Sequence, residues 1–464
     1  MNAGSISGSE EFGVLPQSTT KPHKRRHVEY CCILFIRTDY FDFEELLVSF
    51  SVGRTLISNQ RDIFGIKMAS KTKYNLNRKK VTSQATIKQV ECAVAEASNN
   101  FGIHLYYLLA KENTNVFFSP FSISTALAML FCGAQKETAK EMREVLGYEA
   151  VNIKDEELKS CFQKLLDALD SNQESYTLNC ANAVLSNKEF SVKEEYKSLL
   201  EHFFNAFFKE VDFVNESDEA VKLVNEWFNK KTNNMIPNIL DSLDPSTVLI
   251  ILNAVYFKGY WSYPFEEDDT NPQDFYNKGD KNNCRQVDMM HIRDIFLYTK
   301  KESYKALELP YEGGNISMLI LLPNSKDGLS ELESSLSSTF IQDLEQSMSE
   351  TKVEVALPKF KLEYSTSLKE KFQSLGLSRV FNNGAHLNAI NDSDELFLSE
   401  VNHTAILVVN EEGSEAVAFT GMKVSGSRAP MEQAKFIVDH SFMFVIYNVA
   451  NNLILFMGRV DNFK

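Results

Sequence analysis

The sequence predicts a mixed α+β protein with a long loop placed between two strands near its C-terminus. Three observations lead there. Segments with apolar residues at helical spacing open the ordered part of the chain, and apolar runs of strand length dominate the rest. Between the runs Ala405–Val409 and Phe436–Val449, both of which read as buried strands, lies Glu411–Pro430, EEGSEAVAFTGMKVSGSRAP. A connection of that length inside a compact domain is uncommon, and is usually functional or unstructured. No proline occurs from Gly413 to Ser425, so every amide there can donate to a β-ladder. Ser414, Ala416, Ala418, Thr420, Met422 and Val424 share one face of such a strand, all small or apolar. Glu415, Val417, Phe419, Gly421, Lys423 and Ser425 share the other. The stretch can therefore be a solvated loop in one state and a half-buried strand in another, although its composition also suits a flexible connector.

Composition bounds the remainder. With 464 residues, 44% of them hydrophobic, the chain can bury a large core. A net charge of −15 argues against nucleic acid as the main partner. The seven cysteines (31, 32, 92, 132, 161, 180 and 284) are odd in number and lack metal-ligand spacing, so no metal site is expected and buried thiols are. No run of eighteen apolar residues exists, which excludes an apolar helical membrane span.

Residues 1–90 read as an N-terminal extension apart from the domain at 91–464. Ser5–Lys21 is polar and disordered in character. The basic stretch Lys21–Arg26 followed by apolar Tyr30–Ile36 has the outline of a secretory signal. Glu29 interrupts it, Arg37 ends it and no small-residue cleavage site follows, so cytoplasmic and extracellular locations both stay open. Met68-Ala-Ser offers an alternative start, which would make the upstream part an artefact of the gene model.

From residue 91 the elements follow in order. Ala93–Leu109 has helical spacing. Ser119-Pro120 is a good helix start, and the helix after it is apolar nearly all round, hence buried. Helices are expected at Lys136–Val145, Glu156–Leu169, Val192–Ala206, Asp218–Lys231 and Ser367–Leu375, the last ending at Gly376. Strands are expected at Tyr176–Leu185, through Val248–Trp261, and at Ala306–Pro310, Ile316–Pro323 and Val353–Glu363.

Glu411-Glu412-Gly413-Ser414-Glu415-Ala416 resembles the hinge of the reactive-centre loop in the serpins, and its flanks agree. Upstream stand Leu398–Ala405 (LSEVNHTA) and Val409-Asn410. Downstream stand Phe436, Asp439-His440-Ser441-Phe442, with Ser441 where the family usually has Pro, and Leu455–Val460 (LFMGRV). Asn225-Glu226-Trp227-Phe228 and VLIILNAVYFKGYW at 248–261 match further blocks. Asn234-Met235 departs from the Gly-Lys expected there, and nothing is carried over at 385–390. The resemblance covers about 375 residues, from 90 to 464. It implies a serpin fold of three β-sheets and about nine helices, with an exposed reactive-centre loop.

It also implies residue roles. Glu411, Glu412, Gly413, Ser414, Glu415, Ala416, Val417 and Ala418 match the hinge. Asn115, Ser119, Ser122, Thr125 and His403 match the shutter beneath the main sheet, and Lys258 and Trp261 match the breach where loop insertion begins. Taken alone, a satisfied core histidine, back-bonded hydroxyls, a core Trp and a surface Lys would be the ordinary readings.

The implied activity is suicide inhibition of a serine or cysteine protease by a monomer, the alternative being a non-inhibitory carrier, chaperone or storage serpin. Counting along the loop puts the attacked carbonyl on Ser427, before Arg428; a loop longer by one residue puts it on Arg428, before Ala429. Ser427 suits an elastase-like target, and Arg428 a trypsin-like one through an Arg–carboxylate pair. The acidic excess from Lys154 to Asp170 argues against a heparin-type cofactor, and no other cofactor is implied. No nucleophile elbow, HExxH or phosphate-binding Gly loop is present to suggest an enzyme.

Overall fold

The helix beginning at Ser119-Pro120 forms as its sequence dictates. The Ser122 amide donates to Ser119 Oγ at 3.1 Å, Pro120 occupies the first turn, and every residue of Pro120–Gly133 except Cys132 is buried. The computed structural model describes residues 89–112, 114–169, 176–393, 395–414 and 433–464. Almost all of the extension expected over residues 1–90 thus lies outside the described residues.

Nine α-helices occur among the described residues. They are α1 (Gln89–Leu109), α2 (Pro120–Gly133), α3 (Lys136–Val145), α4 (Asp155–Leu169), α5 (Glu194–Phe204), α6 (Ser217–Lys231), α7 (Leu329–Ser334), α8 (Phe340–Ser347) and α9 (Lys369–Ser374). The helix expected from Ser367 starts two residues later, because Ser367 is still the last residue of a strand. Gly376 follows its end at φ 102°, where a left-handed residue closes the helix.

A six-stranded sheet runs in the order β10 (Phe360–Ser367), β11 (Glu400–Val409), β4 (Leu249–Tyr260), β2 (Tyr176–Asn187), β3 (Phe207–Val211), with β12 (Gly413–Ser414) added to β4. A nine-stranded sheet runs β1 (Val116–Phe118), β15 (Leu453–Val460), β14 (Phe442–Asn448), β8 (Ile316–Pro323), β7 (Tyr304–Pro310), β6 (Cys284–Lys300), β9 (Ser349–Pro358), β13 (Gln433–Ile437), with β5 (Asn271–Tyr276) on β6. Ladder bonding thus yields two assemblies where three sheets were expected, because the seventeen-residue β6 pairs in turn with β5, β9 and β7 and joins what would otherwise be separate sheets.

Strand β4 is buried on both faces. Leu249, Ile251, Val255 and Phe257 enter the larger core. Ile250, Leu252 and Ala254 enter a smaller one with Val224 and Phe228 of α6. That double burial is why its sequence is a continuous apolar run rather than an alternation.

Two expected strands prove to be pairs. Val353–Glu363 breaks at Pro358-Lys359, where the chain passes from β9 in one sheet to β10 in the other. Phe436–Val449 breaks at Val438–Ser441, where polar Asp439-His440-Ser441 replaces ladder pairing with side-chain bonds. Of the described cysteines, none is in a disulfide; Cys161 is buried, while Cys284 is exposed, contrary to the expectation of buried thiols. Burial pushes the Cys132 thiol up to about 12.

Candidate functional site

Strands β11 and β4 run parallel, from Glu400 opposite Ile250 to Ile406 opposite Tyr256. Beyond Val409 the chain reverses. The Asn410 amide donates to the Gly413 carbonyl at 2.9 Å, and the Gly413 amide donates to Asn410 Oδ1 at 3.1 Å. Gly413 has φ 153°, and a Cβ there would stand 2.0 Å from the Gly259 carbonyl oxygen. No other residue permits that approach.

Gly413 and Ser414 then pair antiparallel with Tyr260 and Gly259 of β4. Ser414 is fully buried, its hydroxyl 2.8 Å from that of Tyr311. The sequence reading left the hinge exposed before cleavage. In the structure its first residues already belong to the sheet, because the turn at Asn410 delivers them to the free end of β4.

Side chains fasten this turn. Trp261 Nε1 donates to the Asn410 carbonyl at 3.0 Å, its amide donates to the Glu412 carbonyl at 2.8 Å, and its ring stacks on Tyr311 at 4.5 Å. Glu411 Oε1 accepts from Thr270 Oγ1 at 2.9 Å, and Glu411 Oε2 lies 2.8 Å from Lys359 Nζ. Burial alone would raise the Glu411 carboxyl, but the bonds from Lys359, the backbone and Thr270 outweigh it and hold the carboxyl below its ordinary value. Of the two residues matched to the breach, Trp261 thus contacts the hinge directly, whereas the Lys258 amine lies 5.6 Å from the Tyr260 ring centroid.

Further along the β4–β11 pair a polar row crosses the sheet. His403, Asn253 and Asn182 stand opposite one another on β11, β4 and β2. Burial drives the His403 imidazole down to about 3, so the ring is neutral. Its Nδ1–H donates to Asn253 Oδ1 at 2.6 Å, and Nε2 accepts the Ser119 amide at 3.2 Å. Asn253 Nδ2 donates to Ser122 Oγ at 2.6 Å and to Asn182 Oδ1 at 2.7 Å. The amide nitrogen of Asn182 is buried with no partner.

Two residues matched to the shutter stand apart from this row. Thr125 Oγ1 donates back to the Phe121 carbonyl at 2.8 Å. Asn115 instead ties down the C-terminus, accepting from the Asp461 amide at 2.8 Å and donating to the Asn462 carbonyl at 2.8 Å. Conversely, Asn253, Asn182, Tyr311 and Lys359 escaped the sequence reading. For Asn253 a signal existed: it is the one amide side chain inside the apolar strand β4, where burial demands a partner. The remaining hinge residues Glu415, Ala416, Val417 and Ala418, and the reactive-bond candidates Ser427, Arg428 and Ala429, lie outside the described residues.

The neutral His403 makes acid costly. Stability from this group is fully present above the unfolded value of about 6.5 and is lost as pH falls from there toward about 3. Urea unfolding should show about 2–3 kcal/mol lost by pH ~4.5 in the wild type. That loss should be absent in His403→Gln, and an equal loss in the variant would show that another group carries it.

The serpin (serine protease inhibitor) family model matches residues 96–463. The chain is 38% identical over 367 residues to intracellular coagulation inhibitor 2 of Tachypleus tridentatus, covering 78% of this chain and 90% of that one. The crystal structure of Serpin48, a highly specific serpin of the insect Tenebrio molitor, matches with a TM-score of 0.71 at 32% identity, over 80% of this chain and 98% of that one. Human thyroxine-binding globulin in complex with its ligand matches with a TM-score of 0.75 at 25% identity, over 80% and 99% of the two chains.

Proposed function

The chain belongs to the serpin family of serine protease inhibitors, and from that premise we propose that it traps its target as a suicide substrate. The observation that carries this reading is the seating of Gly413-Ser414 on β4, antiparallel, at the end of the parallel β4–β11 pair. Continuing that register, each further loop residue meets the preceding residue of β4. Ala416 comes opposite Phe257, Ala418 opposite Val255, Met422 opposite Ile251 and Val424 opposite Leu249, all toward the larger core. Thr420 comes opposite Asn253, where its hydroxyl stands between Asn253 and His403 once the two strands part.

The chemistry follows from that geometry. A protease attacks the loop as substrate and forms its acyl-enzyme, with the carbonyl of Ser427 or Arg428 as the attacked group. Cleavage frees the loop from β13, and residues 413–425 replace one parallel ladder with two antiparallel ones. Each ladder bond adds roughly 0.5–1.5 kcal/mol net, and burial of the small side chains adds about 0.8 kcal/mol per CH₂. Insertion draws the tethered protease along and distorts it before water releases the ester. A non-inhibitory carrier, the reading that thyroxine-binding globulin invites, has no need of a hinge face free of bulky side chains.

Incubation with trypsin-like and elastase-like proteases should give a denaturant-resistant covalent band with at least one of them. The released C-terminal peptide should start at Arg428 or Ala429. Cleavage of the loop by every protease without loss of protease activity would overturn the reading.

A further inference from the structure

The segment 382–390 closes a corner between three helices. Its side chains Ala385, Leu387 and Ile390 are buried. Its backbone ties each helix in turn. The His386 amide donates to Thr138 Oγ1 of α3 at 2.9 Å, and the His386 carbonyl accepts the Gln135 amide, just before α3, at 2.8 Å. The Ala389 amide donates to the carbonyl of Gly133, the last residue of α2, at 3.3 Å. The Ile390 carbonyl accepts the Lys193 amide, at the start of α5, at 2.9 Å, and the Lys193 amine donates to the Asn388 carbonyl at 2.7 Å. Ile390 also fills the space that Gly133 leaves, since a Cβ there would stand 2.2 Å from Ile390 Cγ1.

The chain enters this corner through Asn383-Gly384, the one Asn-Gly pair in the sequence. Both residues are exposed in a turn, and Gly384 has φ 91° with open space where a Cβ would stand. The Ala385 amide closes the turn by donating to the Asn382 carbonyl at 3.1 Å, and the Gly384 amide has no acceptor among the described residues. Gly384 thus lacks both the β-carbon that would crowd an attack by its nitrogen and a bond that would hold its proton. Asn382 differs on both counts. Its Nδ2 donates to the Ser378 carbonyl at 2.7 Å, and the residue after it carries a side chain.

We propose that Asn383 is a site of spontaneous backbone rearrangement, through which the corner joining α2, α3 and α5 loosens with age. The Gly384 nitrogen gives its proton to hydroxide and forms a bond to Asn383 Cγ. The Cγ–Nδ2 bond breaks, and ammonia leaves with a proton from water, which regenerates hydroxide. Water then opens the cyclic imide. Attack at Cγ leaves an aspartate at position 383. Attack at the main-chain carbonyl leaves isoaspartate, in which the chain runs through the side-chain carbon and is longer by one methylene. Water is the only co-reactant, and no atom changes oxidation state. The added methylene lies just before buried Ala385 and displaces the entry to a corner whose backbone is fastened from His386 to Ile390. The site is independent of the trapping reaction proposed above.

Incubation of the full-length protein in mildly alkaline buffer, beside the free peptide Phe381–His386, tests this. Peptide mapping should find isoaspartate at position 383 forming within about threefold of its rate in the free peptide, since an exposed turn opens at almost no cost. Asn382 should stay intact. In the rearranged protein the Gln135, His386 and Ala389 amides should exchange hydrogen about tenfold faster, with β14 and β15 unchanged. Asn383→Ser should form no isoaspartate here and keep native protection through the same incubation. Asn383 intact in the folded protein once the free peptide has converted would overturn the site. Rearrangement with unchanged exchange at Gln135, His386 and Ala389 would overturn its effect on the corner.

Discussion

Ser414→Arg is expected to turn this protein from an inhibitor into a substrate and to loosen its hinge before any protease arrives. Ser414 is fully buried on β4 and shares a hydrogen bond with Tyr311. An arginine there must either sit unpaired in the core, at several kcal/mol, or leave the sheet. Leaving is the cheaper course, and it forfeits the Tyr311 bond and the β12 pairing, about 1–3 kcal/mol of native stability. After cleavage the same charge opposes the first step of strand insertion, and each 1.4 kcal/mol of added barrier slows that step about tenfold. Deacylation then wins, and cut inhibitor accumulates with active protease. Denaturing gels should show the covalent band replaced by cleaved chain, and the rise in melting temperature on cleavage should shrink. Trapping equal to wild type would mean that insertion at Ser414 is not the inhibitory step.

Asn253→Leu should cause the second large change. One amide group serves His403, Ser122 and Asn182 at once. Leucine leaves the His403 Nδ1–H, the Ser122 hydroxyl and the Asn182 carbonyl oxygen buried without their partner, each at about 1–3 kcal/mol. The loss should be at least about 3 kcal/mol in urea unfolding, well above the 1 kcal/mol typical of single substitutions. It should also lower the barrier to parting β4 from β11, read as faster spontaneous loss of trapping activity on mild warming. Unchanged stability would show that the polar row is not a fastening.

Local sequence was informative where a feature depends on near neighbours. Ser119-Pro120 marks a helix start because cap and first turn are adjacent, and the twelve residues of β4 read as a strand because both faces are apolar. The breaks at Lys359 and His440 were not legible, since an apolar run carries no mark of which sheet each half will join. Each residue there owes its role to a distant partner, Glu411 for Lys359 and Pro323 for His440.

By itself the sequence determined the family, the helix α2, and the small-residue alternation from Ser414 to Val424, all properties of contiguous residues or of their order. Only the tertiary structure decided which polar groups meet. Asn253 lies 71 residues from Asn182 and 150 from His403, and they face one another because parallel pairing of β4 with β11 and antiparallel pairing with β2 bring three strands into one register. Pairing with β4 likewise decides that Ser414 is buried before cleavage, while pairing of β1 with β15 in the other sheet brings Asn115 to the C-terminus. Register is set by the packing of whole faces against the core, and no short stretch of chain contains that information.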